Sequence, residues 1–149
     1  MGADTLSQVL GLRARSPRPP LSLMSEVEKG LPLSALDRLA KAVAPDDAAF
    51  ALRIVSRATL ARRRKALATS RNASAARLSA EESARVARLA EVWALAREVW
   101  GGDEQARAFL FRPHPMLEGR RPIDVVLANE FGRPLVESIL GGLQYGSAA

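Results

Sequence analysis

Apolar residues recur three and four positions apart along most of this chain, and no segment alternates apolar with polar over the length of a strand. Every element the pattern predicts is a helix. The first runs from Leu21 to Lys29 and is closed by Gly30 ahead of Pro32. Leu36, Leu39, Ala40 and Val43 follow at i, i+3, i+4, i+7 spacing, with Ser34 placed to cap that helix and Asp37 in its first turn. This helix is predicted to end near Pro45. Asp46 and Asp47 then open another, with Phe50, Ile54 and Val55 on its inner face, and Ser56 breaks it and caps a basic helix, RATLARRRKALA. The order is helix, short turn, helix, with the basic helix second.

Residues 68–78, ATSRNASAARL, lack large apolar side chains until Leu78 and read as a linker. Ser79 and Glu82 form the S-x-x-E capping box that opens a long helix reaching Trp100. Val86, Leu89, Trp93 and Trp100 make one stripe on it, and Val92, Leu95 and Val99 a second, a face too wide for one neighbouring helix to cover. Gly101-Gly102 stops it, and Asp103 is placed to cap a short helix carrying Ala106, Phe109 and Leu110. After the turn RPHPMLEGRRP, Pro122 and Pro134 each suit the first position of a helix, and Leu135, Ile139, Leu140 and Leu143 are predicted to line the inner face of the last. The fold class is all-α. Three parts are predicted: a flexible basic tail over 1–20 with Arg13, Arg15, Arg18 and three prolines, a helix-turn-helix domain over 21–78, and a second helical domain over 79–149.

A length of 149 residues allows one domain or two small ones. The absence of cysteine excludes a disulfide framework, no stretch has the roughly 20 apolar residues of a membrane span, and the opening MGADTLSQVL lacks a signal peptide's pattern. These features point to a cytoplasmic protein, so the sequon Asn72-Ala73-Ser74 is read as chance. Charge changes the picture more. The net charge is +6, but residues 1–80 hold 14 Lys and Arg against 6 Asp and Glu, a balance of +8, while residues 81–149 hold 8 against 10, a balance of −2. No acidic residue occurs between Asp47 and Glu81, where eight cations fall. That is the electrostatic footprint of a nucleic-acid-binding face.

The run Arg62-Arg63-Arg64-Lys65 cannot all face one way, because each residue on a helix is turned by about 100° from the last. With Leu60 and Leu67 on the core side, Arg64 lies over the buried seam and must snorkel or reach a phosphate, while Arg62 and Lys65 point outward and Thr59 and Arg63 lie toward one flank. In a helix-turn-helix the second helix enters the major groove, so Arg57, Thr59, Arg62, Arg63 and Lys65 are the predicted DNA contacts, with Arg62 aimed at a guanine edge. Catalysis finds no support. The lone histidine, His114, sits between two prolines in a turn, no nucleophile and base pair up by spacing, and neither glycine pair extends to a phosphate loop, so no enzyme, cofactor or metal site is predicted.

The C-terminal segment RPHPMLEGRRPIDVVLANEFGRPLVESILGGLQYG resembles the toxin-binding domain of Xre, MbcA and ParS type antitoxins. The matching positions are Pro115, Leu117, Gly119, Pro122, Gly132, Val136, Leu140, Gly141, Tyr145 and Gly146. Upstream, KGLPLSALDRLA, TLARRR and the long helix resemble the Xre-like helix-turn-helix half of the same proteins, so the resemblance spans about residues 25–146. Three positions depart from the pattern. His114 replaces an Asn, Phe109 stands where Trp is common, and Glu118 replaces a Gly that would adopt positive φ without the resistance of an L side chain. The resemblance implies a type II antitoxin that dimerises through its N-terminal half, occludes the cleft of a RES-domain toxin that degrades NAD+, and represses its own operon by binding operator DNA. The implied toxin contacts are Arg120 and Arg121 in the turn and Gln144, Tyr145 and Gly146 at the end, although Tyr145 on its own could equally pack on its domain's core. The other reading of the basic half is a stand-alone helix-turn-helix regulator without a toxin.

Overall fold

A computed structural model describes residues 8–12, 21–69 and 76–145. The expected cations at 13, 15 and 18, the middle of the linker and Gly146 lie outside these residues. Among the described residues there are helices and turns and no strand: α1 (Ser22–Lys29), α2 (Leu33–Val43), a 3-10 turn (Phe50–Arg53), α3 (Arg57–Thr69), α4 (Ala80–Trp100), α5 (Asp103–Phe111), a second 3-10 turn (Pro115–Leu117), α6 (Pro122–Ala128) and α7 (Gly132–Gln144). The chain divides into two compact units between Ala87 and Arg88, inside α4.

In the first unit, Leu36, Leu39 and Val43 of α2 are fully buried, as the helical spacing requires, and Phe50, Ile54, Val55 and Leu60 join them. Pro32, rather than Ser34, precedes the first residue of α2, and no side chain caps it. The helix expected after Asp46 and Asp47 is only a single 3-10 turn. The Asp47 carboxylate accepts from the Ala49 N–H at 3.0 Å, holding the chain in a turn instead of a helix, yet Phe50, Ile54 and Val55 still face inward. Leu10, in the stretch expected to be free tail, is completely buried in a helical turn at residues 8–10. The Arg38 side chain lies so close over Gly11, which has φ +67°, that a Cβ there would meet it at 2.3 Å. A buried leucine outweighs the tail's polar composition at that point.

The end of the expected linker is equally fixed. Leu78 N–H donates to the Leu31 carbonyl at 2.9 Å, the Arg77 guanidinium donates to the Gly30 carbonyl at 2.7 Å, and both Ala76 and Leu78 are buried. The first turns of α4 belong to the same unit: the buried Ser83 hydroxyl accepts from the Leu31 N–H at 2.8 Å, and Arg85 donates to the Ile54 carbonyl at 2.6 Å. These bonds place the division within α4 rather than at the 78/79 boundary that apolar content alone suggested. The capping box is present, with Ser79 N–H donating to Glu82 at 2.8 Å and Glu82 N–H donating to the Ser79 hydroxyl at 3.1 Å.

The second unit buries Leu89, Val92 and Trp93 of α4 with Phe109, Leu110, Ile123, Val126, Val136, Ile139 and Leu140. α6 packs on both α5 and α7. Arg133 of α7 donates to Glu91 of α4 at 2.6 Å, and burial outweighs Arg133 in raising the Glu137 carboxyl above the ordinary range, with Glu91 adding to the rise. Three local expectations shift. Asp103 is the first residue of α5 and not its cap, because Gly102 in extended conformation precedes it, and its carboxylate pairs with Arg97 at 2.7 Å. Pro134 is the third residue of α7, which starts at Gly132. The inner face of α7 is Val136, Ile139 and Leu140, whereas Leu135 is 56% exposed.

Candidate functional site

The basic helix α3 is built as its sequence suggests at the start. Ser56 caps it, accepting from the Thr59 N–H at 3.4 Å, and its hydroxyl also donates to the Thr59 hydroxyl at 2.9 Å. Only Leu60 of its residues is buried, and Leu67 is 51% exposed. The seam expected between Leu60 and Leu67 is therefore short, and the four consecutive cations divide in another way.

Arg63, counted among the DNA contacts from its position in the run, turns inward. Its guanidinium pairs with Glu82 in the first turn of α4, and the two side chains are 14% and 13% exposed. The Glu82 carboxyl is raised by burial, but its bonds from Ser79 and Arg63 outweigh that and hold it below the ordinary carboxylate range. Arg64 does not snorkel over a seam. It makes a two-pronged bond to Asp37 of α2, at 2.8 and 3.0 Å, and the hydrogen bond raises its pKa above the ordinary value. Asp37, expected to serve the start of its own helix, serves α3 instead. Each flank of α3 is thus held by one ion pair, which sequence spacing could not show because both partners are distant in the chain.

Arg57, Arg62 and Lys65 remain exposed, with no ion pair to the described residues, and Thr59 is half-buried. Helical geometry puts Arg62 and Lys65 on the side away from Leu60, where Ala58 on the same face is too small to obstruct a close approach. The arrangement presents exposed cations, unpaired among the described residues, on a helix joined to its neighbours by two ion pairs, which fits contact with the phosphates and base edges of a duplex groove.

In the second unit, the turn between α5 and α6 closes on itself. His114 N–H donates to the Arg120 carbonyl at 3.0 Å, His114 Nδ1 accepts from the Met116 N–H at 3.1 Å, and Leu117 is buried beneath. His114 is thus a turn-forming residue. Glu118 adopts φ 56° and ψ 35°, a left-handed conformation that costs an L residue and that glycine adopts readily, and Gly119 follows at φ 81°.

The predicted toxin contacts are not brought together as one group. Arg121 is engaged locally, donating to both Asp124 oxygens at 2.8 and 3.0 Å with its guanidinium over the Phe111 ring, and that hydrogen bond raises its pKa. Arg120 is exposed and borders a groove of about 400 Å³ together with Met116, Leu135 and Ile139. Gln144 is exposed, and Tyr145 is 81% exposed at the end of α7, so it does not pack on its own core. A second cleft of about 550 Å³ is walled by Trp100, Phe109, His114 and Leu143, with the Trp100 and Phe109 ring centroids 6.1 Å apart. Sequence reasoning missed Met116 and Leu135, which the structure leaves 59% and 56% exposed; the signal was an apolar residue in a turn and one just inside a helix start. No cluster of potential metal ligands occurs among the described residues, and none of their helices is long and apolar enough to cross a membrane.

A helix-turn-helix unit followed by a small helical recognition unit defines a DNA-binding protein with a second, protein-binding half. Residues 22–91 match the antitoxin Xre-like helix-turn-helix domain, and residues 95–146 match the antitoxin Xre/MbcA/ParS C-terminal toxin-binding domain. The chain belongs to the Xre-type antitoxins, with a DNA-binding and a toxin-binding domain in that order. No curated protein matches it.

Proposed function

We propose that this chain is the antitoxin of a type II pair whose toxin is a RES-domain, NAD+-degrading enzyme, that it neutralises the toxin by occluding its active site, and that it represses its own operon as a homodimer within the toxin–antitoxin complex. The observation that carries the regulatory half is the exposure of Arg57, Arg62 and Lys65, which make no ion pair to the described residues, on a helix whose Arg63 and Arg64 are paired to carboxylates. The RES identity of the toxin rests on the resemblance of the C-terminal segment alone. Arg62 reads a base edge, Arg57 and Lys65 meet phosphates, and Thr59 lies at the margin of the contact. On the toxin side Arg120, Gln144 and Tyr145 are the presented residues. Arg121 supports the turn through Asp124.

Co-expression with the protein encoded beside it, purification through a tag on that neighbour, and an NAD+ depletion assay with and without this chain test the proposal. Retention of this chain together with arrest of NAD+ loss supports it. If no partner is retained and NAD+ is untouched, the toxin class is wrong and a stand-alone regulator takes its place. Removing residues 144–149 is expected to weaken neutralisation; full neutralisation by the shortened chain would take Gln144 and Tyr145 out of the toxin contact.

A further inference from the structure

The two ion pairs flanking α3 differ in a way that matters for DNA. Arg63 and Glu82 are almost shielded from water, and Glu82 is also bound by Ser79, so that pair is part of the unit's packing. Arg64 and Asp37 are 47% and 45% exposed. Arg64 also follows Arg57 by seven residues, so the two occupy one stripe of α3, about 100° round the helix from Lys65. An exposed cation on the stripe of Arg57 is within reach of a phosphate that Arg57 approaches, unless something occupies it. Asp37 occupies both prongs of its guanidinium.

We propose that Asp37 limits sequence-independent DNA affinity by holding Arg64 away from the phosphate backbone, which removes one phosphate contact and leaves binding to Arg57, Arg62 and Lys65. The proposal rests on α3 being the DNA-reading helix. Phosphate contacts strengthen binding to every sequence alike, so a carboxylate that cancels one lowers affinity for any duplex and leaves the ratio of specific to non-specific binding unchanged. An exposed pair is weak enough that its removal leaves the fold intact, so Asp37 can be tested by substitution.

The measurement is affinity for a short duplex of arbitrary sequence across a salt titration, using the full chain. Asp37→Asn is expected to raise affinity and steepen the slope of log K against log salt by about 0.9, so that the loss between about 50 and 200 mM salt grows about 3.5-fold. Arg64→Gln in the wild-type background is expected to leave the slope unchanged, and the double variant Asp37→Asn with Arg64→Gln to return it to the wild-type value. Asp46→Asn, which alters net charge equally at an exposed position of the same unit, is expected to leave the slope unchanged. The proposal is overturned if Asp37→Asn leaves the slope as it was or lowers affinity, if Arg64→Gln alone flattens the slope, or if Asp46→Asn steepens it as much. Absence of duplex binding by the wild-type chain would instead remove the DNA-reading role of α3, and this proposal with it.

Discussion

Replacing Arg63 separates a structural cation from a DNA contact within a single run of four. Arg63→Met keeps most of the apolar stem and removes the guanidinium, so the loss is chiefly that of a charge-assisted bond between two side chains only 14% and 13% exposed. Glu82 keeps its bond from the Ser79 N–H at 2.8 Å, so it is not left bare, which sets the cost at about 1 to 3 kcal/mol rather than the larger penalty of an uncompensated buried charge. For a unit of this size that corresponds to a fall in melting temperature of about 4 to 24 °C. The pH dependence follows from Glu82, whose carboxyl lies below its ordinary range in the folded chain. Its stabilisation is fully present above the unfolded-chain pKa of about 4.3 and is lost as pH falls through the lower folded value. The gap in melting temperature between the wild-type chain and Arg63→Met should therefore be widest near neutrality and shrink below about pH 4. Thermal denaturation followed by circular dichroism over that range measures it, with a DNA salt titration beside it. A melting temperature unchanged by the substitution, together with a salt slope reduced by about 0.9, would show that Arg63 meets phosphate and would refute the argument.

Three other substitutions test the fold and one tests the reading helix. Ser83→Ala leaves the buried Leu31 N–H without its acceptor and is expected to cost about 1 to 3 kcal/mol, read by chemical denaturation. Gly132→Ala places a Cβ 1.8 Å from the Val125 carbonyl oxygen where 3.4 Å is ordinary contact, so α6 and α7 must separate; a loss of about 3 kcal/mol or more is expected, and a neutral effect on melting would contradict the close approach. Glu118→Gly relieves a left-handed conformation that costs an L residue about 1 to 2 kcal/mol, partly offset by glycine's entropy in the unfolded chain, so a net gain of about 0.5 to 1 kcal/mol is expected in the same denaturation assay. Arg62→Ala should weaken operator binding by about 1 to 3 kcal/mol, and an unchanged affinity would remove it from the contacts.

The helices, their apolar faces and the capping box at Ser79 and Glu82 were legible in the sequence because each depends on residues within a few positions of one another. The division into a DNA-binding and a toxin-binding half was legible from spaced motifs and from the change in charge. What the chain does with individual cations was not. Arg63 and Arg64 are neighbours of identical chemistry, and only folding decides that one meets Glu82, 19 residues on, and the other Asp37, 27 residues back. Leu10 and Leu78 gained their place in the core in the same way, from distant partners that outweigh a polar local composition. Gly132 is a signature glycine in the sequence, but the reason for it is the Val125 carbonyl of another helix, a distance that no spacing encodes. Local periodicity determines where helices form, and the long-range pairing of side chains determines which charges remain free to act.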